Sequence, residues 1–294
     1  MIQLKGAGVA LITPFTQSGE VDYPALRRLL EFVTKEGTDY LVVQGTTSEV
    51  PTLSNDEKRK ILDFILDFNK GKLPIVLGLA GYDTASLVST IKSTNLNGVD
   101  AILTVTPYYN RPQQAGLYAH YMAVADASPL PVILYNVPSR TGANLSAATT
   151  LKLANDHPNI IAVKEASGNL AQIMEIIKRK PEGFSVISGD DLLTLPIMSL
   201  GAVGVISVAG NACPGFMALL VKECLREDFG AAAKVHYQIL DFVNALFMDG
   251  SPAGIKAALN IMGFCENVLR LPLVPVNNDV YGIIKERITI LLEE

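Results

Sequence analysis

Apolar residues gather in eight short runs, each followed by a segment of helical spacing. The runs are 8–15, 39–47, 74–80, 99–109, 131–138, 160–166, 184–190 and 204–211. Most are continuous and not alternating, the pattern of strands covered on both faces. Between them, Ser54 precedes "NDEKRKILDFILDF" with Glu57 three residues on, a capping box, and Asp83 stands before "TASLVSTIKSTN" in a similar cap position. Strand, loop and helix repeated eight times predict an α/β fold, a closed (β/α)8 TIM barrel, whose usual size is ~250 residues. An open doubly wound sheet would carry a glycine-rich phosphate turn after its first strand, and "ITPFTQSGEVD" contains no GxGxxG. Beyond residue 212 only helical spacing remains: "FMALLVKECLREDF", "GAAAKVHYQILDFVNALF", "AGIKAALNIMGF" and "NNDVYGIIKERITILLEE". The first would close the barrel. The others predict a helical C-terminal extension packed on it, so residues 1–226 are expected to form the barrel and 227–294 the extension.

Composition narrows the function classes. A chain of 294 residues, 49% hydrophobic, can bury a large core unaided. Net charge is −5 and the 24 Lys and Arg are scattered, so no footprint for nucleic acid or an anionic membrane is present. Cys213, Cys224 and Cys265 form no CxxC pair, and with three histidines the chain offers no zinc spacing. An odd, low cysteine count fits a reducing compartment. No apolar run reaches the ~18 residues of a membrane span. The opening "MIQLKGAGVALITPF" lacks a basic n-region and a cleavage site, so it reads as a strand. A soluble cytoplasmic protein is expected.

The unusual polar residues fall at the C-terminal ends of the runs: "GTTSE" (45–49), "TPYYNRP" (106–112), "YNVPSRTG" (135–142), Lys164–Glu165, "SGDD" (188–191) and "SVAGN" (207–211). In a (β/α)8 barrel those ends line the face that carries the chemistry. This asymmetry favours an enzyme over a scaffold.

Lys164 closes the apolar run "IIAV". Either it snorkels to solvent or it is a nucleophilic amine, since burial among apolar strands disfavours an ammonium. A free amine attacks a ketone to give a Schiff base, whose iminium draws electrons from the adjacent carbon. Such chemistry needs a proton shuttle and an anion site. Tyr135, at the end of the neighbouring strand, is placed to reach the amine or else stacks in the barrel with its hydroxyl in water. Thr46 and Thr47 offer hydroxyls and a backbone nest for a carboxylate, or are an ordinary threonine-rich strand end. Arg140 presents a planar fork for a second carboxylate, or makes a surface salt bridge. Asp190–Asp191, without a third ligand nearby, are expected to cap a helix starting at Leu192 and not to hold a metal.

Taken together, "GTTSE", "YYNRP", "YNVPSRTG", "VKEASGN", "SGDD" and "GVISV" resemble the pyruvate-dependent class I aldolase superfamily. More narrowly they are similar to its 4-hydroxy-tetrahydrodipicolinate synthase (dihydrodipicolinate synthase) family. The similarity runs in order from about residue 6 to about residue 275. It implies pyruvate and L-aspartate 4-semialdehyde as substrates in the diaminopimelate route of lysine biosynthesis, with no cofactor and no metal. Lys164 would carry the Schiff base, and Thr46, Tyr109 and Tyr135 would relay protons. The Thr46–Thr47 turn would hold the pyruvate carboxylate, Arg140 the semialdehyde carboxylate, and the backbone around Gly189 and Ile206 would border pyruvate. Tyr109 is expected to come from a neighbouring protomer, which implies a tight dimer paired into a homotetramer, a dimer of dimers.

Two rivals within the superfamily are N-acetylneuraminate lyase and the 2-keto-3-deoxy-sugar-acid aldolases, which generally lack an arginine placed like Arg140. A rival of another class is a non-catalytic barrel that binds a 2-oxo acid. The sequence also departs from the family pattern. Ser48 replaces the glycine of the common GTTGE turn, where a positive φ would strain it. "NPIPVK" reads "SPAGIK" (251–256), which is expected to leave the catalytic set untouched. In relatives that lysine inhibits, a histidine pair follows the GTTxE turn, and an Asn and a Glu line the dimer cleft. The matching positions are Asn55, Lys58, Tyr82 and Ser86. An added cation and a lost carboxylate predict weak or absent inhibition by lysine.

Overall fold

The computed structural model describes residues 4–293; the outermost ends of the two expected domains lie outside them. Eight strands form: β1 (Gly6–Ala10), β2 (Tyr40–Val43), β3 (Ile75–Gly78), β4 (Ala101–Val105), β5 (Val132–Asn136), β6 (Ile160–Glu165), β7 (Ser185–Ser188) and β8 (Gly204–Ser207). They follow one another in chain order in a closed barrel. The chain is therefore the (β/α)8 barrel that its apolar runs predict, with further helices behind it. Each strand is shorter than its run. The first run continues to Phe15, yet β1 ends at Ala10, and Leu11, Ile12 and Phe15 are buried in the loop that follows. Apolar content marks burial, and a buried loop carries the same signal as a strand.

Two compact units divide the chain. In Pro74–Ile206 the strands pair in parallel from β3 onward, and the register sets Tyr135 opposite Lys164 and Lys164 opposite Ile187. Some of the helices between them start on side-chain caps. Asp83 accepts from the N–H groups of Ala85 and Ser86 at the head of Thr84–Ser93, and Asn169 from that of Gln172 at the head of Leu170–Arg179.

The second unit comprises Gly6–Leu73 and the chain from Ser207 onward. Here β1 pairs with β2 so that Gly8 faces Tyr40; a Cβ on Gly8 would fall 2.2 Å from the Tyr40 ring, so glycine is required there. Asn211, just after β8, donates through Nδ2 to the Ala10 carbonyl and accepts from the Ile12 N–H, tying that turn to the end of β1. The capping box at Ser54 and Glu57 starts the helix Asn55–Asn69 as predicted. Helices Pro214–Leu225, Phe229–Phe247, Ala253–Ile261 and Asn278–Glu293 match the four C-terminal segments. Helix Phe229–Phe247 packs against both Pro214–Leu225 and Asn278–Glu293.

Candidate active site

Within the unit Pro74–Ile206, Lys164 is 6% exposed near the C-terminal end of β6. Parallel register places Tyr135 of β5 beside it, and the Lys164 Nζ lies over the Tyr135 ring, 4.3 Å from its centre. The contact is made by the ring face, a surface that attracts cations. Among the described residues no carboxylate pairs with Lys164 Nζ. Gly189, just past β7, crosses the lysine stem, and a Cβ there would meet Lys164 Cε at 2.9 Å and Cγ at 3.0 Å. Ile206 is buried on β8.

Glu165 points to the opposite face of β6, as strand alternation requires. It is fully buried, and burial pushes its carboxyl above the ordinary range against the pull of its hydrogen bonds. Its oxygens accept from Asn136 Nδ2 (3.0 Å), Gln172 Nε2 (2.9 Å) and the Ser167 N–H (3.1 Å). Asn136 in turn donates to Asn144 Oδ1 and accepts from the Leu145 N–H, which fixes the far end of the loop after β5. That loop opens with the short helix Pro138–Thr141, which carries Arg140 on its exposed side. Arg111 ties the loop after β4 to it by donating Nε to the Gly142 carbonyl at 2.8 Å. In the same β4 loop Tyr108 stacks edge-on against Tyr82, while Tyr109 is 91% exposed with φ 71°.

Asp190 receives the N–H groups of Leu192 and Leu193 as a cap would. The helix itself, however, begins at Thr194 and not at Leu192. Among the described residues no group of three or more His, Cys, Asp and Glu is placed to hold a metal, and no helix is long and apolar enough to cross a membrane.

In the second unit, Thr46–Ser48 form a tight 3-10 turn after β2, with Thr46 exposed and Thr47 buried. The leading N–H groups of such a turn have no acceptor within it, which suits them to an anion. The strain expected at Ser48 is absent. Ser48 sits inside the turn, donates its hydroxyl to the Leu11 carbonyl at 2.7 Å, and accepts from Thr13 Oγ1 on its own carbonyl. The left-handed residue is the next one, Glu49, at φ 56°. Its carboxylate forms a fully buried ion pair with Lys256 Nζ and accepts from the Arg270 N–H at 3.0 Å. The "SPAGIK" segment is thus joined to the GTTSE turn through Lys256 and Glu49. Strand-end reasoning gave no role to Arg111 or Glu165 and passed over Lys256 and Arg270. Lys256 had the same signal as Lys164, a lysine inside an apolar stretch.

The chain is similar along almost its whole length to known proteins of one family. The dihydrodipicolinate synthetase family model matches residues 3–291. The 4-hydroxy-tetrahydrodipicolinate synthase of Parabacteroides distasonis is 53% identical over 285 residues, 97% of this chain and 96% of that one. Among solved structures, the dihydrodipicolinate synthase of Aquifex aeolicus is 43% identical with a TM-score of 0.94, covering 97% of each chain. Another, described as the first monomeric dihydrodipicolinate synthase variant, is 36% identical with a TM-score of 0.95, covering 98% of this chain and 96% of that one.

Proposed function

The chain belongs to the dihydrodipicolinate synthetase family, and from that premise we propose that it condenses pyruvate with L-aspartate 4-semialdehyde through a Schiff base on Lys164. One observation carries the assignment of the nucleophile: Lys164 is buried, lies over an aromatic face and has no acidic partner among the described residues. In Schiff-base formation the free amine is the attacking species. The amine adds to the keto carbon of pyruvate and water leaves, giving an iminium above the Tyr135 ring, which attracts the new cation. Loss of a methyl proton gives an enamine, whose carbon attacks the aldehyde. The amino group of the semialdehyde then closes onto the imine carbon and releases Lys164.

The remaining roles follow the family pattern. Thr46, Tyr109 and Tyr135 relay protons, the Thr46–Thr47 turn receives the pyruvate carboxylate, Gly189 and Ile206 border pyruvate, and Arg140 takes the second carboxylate. The exposure of Tyr109 supports self-association, with Tyr109 entering the site of a second copy, in a dimer that pairs into a tetramer. Residues 1–226 then form the catalytic barrel and 227–294 its extension. Three cysteines with no disulfide among the described residues support a cytoplasmic setting.

The test is intact-mass analysis after borohydride reduction with pyruvate, alongside turnover with aspartate semialdehyde. The wild type gains one pyruvate adduct; Lys164→Ala gains none and loses turnover by about 10³-fold or more, as removal of a nucleophile does. An adduct on Lys164→Ala, or wild-type turnover with N-acetylmannosamine alone, overturns the proposal.

A further inference from the structure

Behind the Thr46–Thr47 turn lies a charged cluster that takes no part in the proposed chemistry. Glu49, two residues beyond Thr47, is held at both oxygens, by Lys256 Nζ on one and by the Arg270 N–H on the other. The Lys256 ammonium also donates to the Val268 carbonyl at 2.9 Å and lies 4.0 Å from the centre of the Phe15 ring. Arg270 covers the same ring at 4.4 Å, forms a bidentate pair with Glu57, and donates to the carbonyls of Gly19 and Thr52. The cluster joins the loop after β1, the GTTSE turn, the head of helix Asn55–Asn69 and the C-terminal segment 256–270.

An ion pair this deeply buried adds little to stability, because desolvation offsets the attraction; an apolar pair of the same size holds a fold as well. What it adds is direction. Glu49 is the left-handed residue next to the turn, a conformation unfavourable outside glycine that persists only where the surroundings impose it. The carbonyl of Thr46 accepts from the Glu49 N–H, so a change in the Glu49 backbone passes straight to Thr46 and Thr47.

We propose that Lys256 and Arg270 are positioning residues: by clamping Glu49 they hold the Thr46–Thr47 turn in the shape that receives the pyruvate carboxylate, so the C-terminal extension sets the affinity for the first substrate. This rests on the pyruvate role proposed for that turn.

The test uses the double variant Glu49→Gln/Lys256→Met in the full chain, which removes both charges together and so leaves no orphaned ion, and Arg270→Gln at a partly exposed position. Each is assayed by thermal melting, by KM for both substrates, and by the pyruvate concentration that half-saturates borohydride trapping. The clamp predicts that the double variant keeps the melting temperature while KM for pyruvate and half-saturation of trapping rise about 10-fold or more, the scale of a displacement of ~1 Å. KM for the semialdehyde stays put. Arg270→Gln keeps the backbone N–H on Glu49 and releases only the side-chain pair with Glu57, so it shows the same split more weakly. Wild-type pyruvate dependence in the folded double variant overturns the clamp. A wild type that traps no pyruvate refutes the proposed function first, and the substrate role of the clamp with it.

Discussion

Replacing Gly189 with alanine drives a methyl group into the stem of Lys164. The new Cβ would stand 2.9 Å from Lys164 Cε, 3.0 Å from Cγ and 2.8 Å from Ala166 Cβ. Carbon atoms settle at ~3.5–4.0 Å, so roughly 0.6 Å or more must be made up. The backbone resists, because the Gly189 N–H is bonded to the Glu165 carbonyl at 2.8 Å. The Ala166 Cβ is as fixed as the backbone and keeps part of the strain, while the flexible lysine stem gives way and carries Nζ off the Tyr135 ring. Overpacking of this kind costs about 1–3 kcal/mol of stability, and a misplacement near 1 Å costs up to ~10²-fold in rate.

Borohydride trapping over a range of pyruvate concentrations separates two effects. A displaced amine lowers the saturated rate of adduct formation, by about 10- to 100-fold on the scale above. A methyl that merely crowds pyruvate raises the half-saturating concentration and leaves the saturated rate alone. Gly189→Ala with wild-type melting temperature and wild-type saturated trapping would refute the packing of the lysine stem on this glycine.

Two further outcomes are expected. His120 is buried against Thr84, and burial lowers its pKa to about 4, so the folded state holds it neutral; its contribution is complete above the unfolded value near 6.5 and is lost as pH falls toward 4, up to about 3 kcal/mol. Urea titrations should therefore show wild-type stability falling faster than that of His120→Phe between pH 6.5 and 4, and parallel curves would refute it. A lysine titration of the condensation should give half-inhibition only above the millimolar range, because Lys58 adds a cation and Ser86 supplies no carboxylate; half-inhibition below a millimolar would overturn this.

The barrel was legible because strands buried on both faces need apolar side chains at every position, and eight such runs with capped helices between them leave few alternatives. The run ends were not, since the loop residues Leu11 to Phe15 are as buried as the strand before them. Ser48 went astray for a related reason. Its position in the motif suggested a backbone demand, but the left-handed turn falls on Glu49, whose carboxylate is anchored elsewhere. No local pattern announces a partner more than 200 residues away.

The two buried lysines show what burial alone can and cannot say. Lys164 and Lys256 both interrupt apolar stretches, both lose nearly all contact with solvent, and both lie over an aromatic ring at about 4 Å. They differ in counter-charge. Lys256 faces Glu49, which partly offsets the larger downward push of burial on its ammonium, and its Nζ is tied to that carboxylate and to the Val268 carbonyl. Lys164 has an aromatic face, a glycine that leaves room for its stem, and no carboxylate partner among the described residues. That difference in counter-charge supports a positioning role for Lys256 and the reactive role proposed for Lys164. The pattern of apolar and charged residues finds both, and only the position of the nearest carboxylate, a fact of the folded chain, tells them apart.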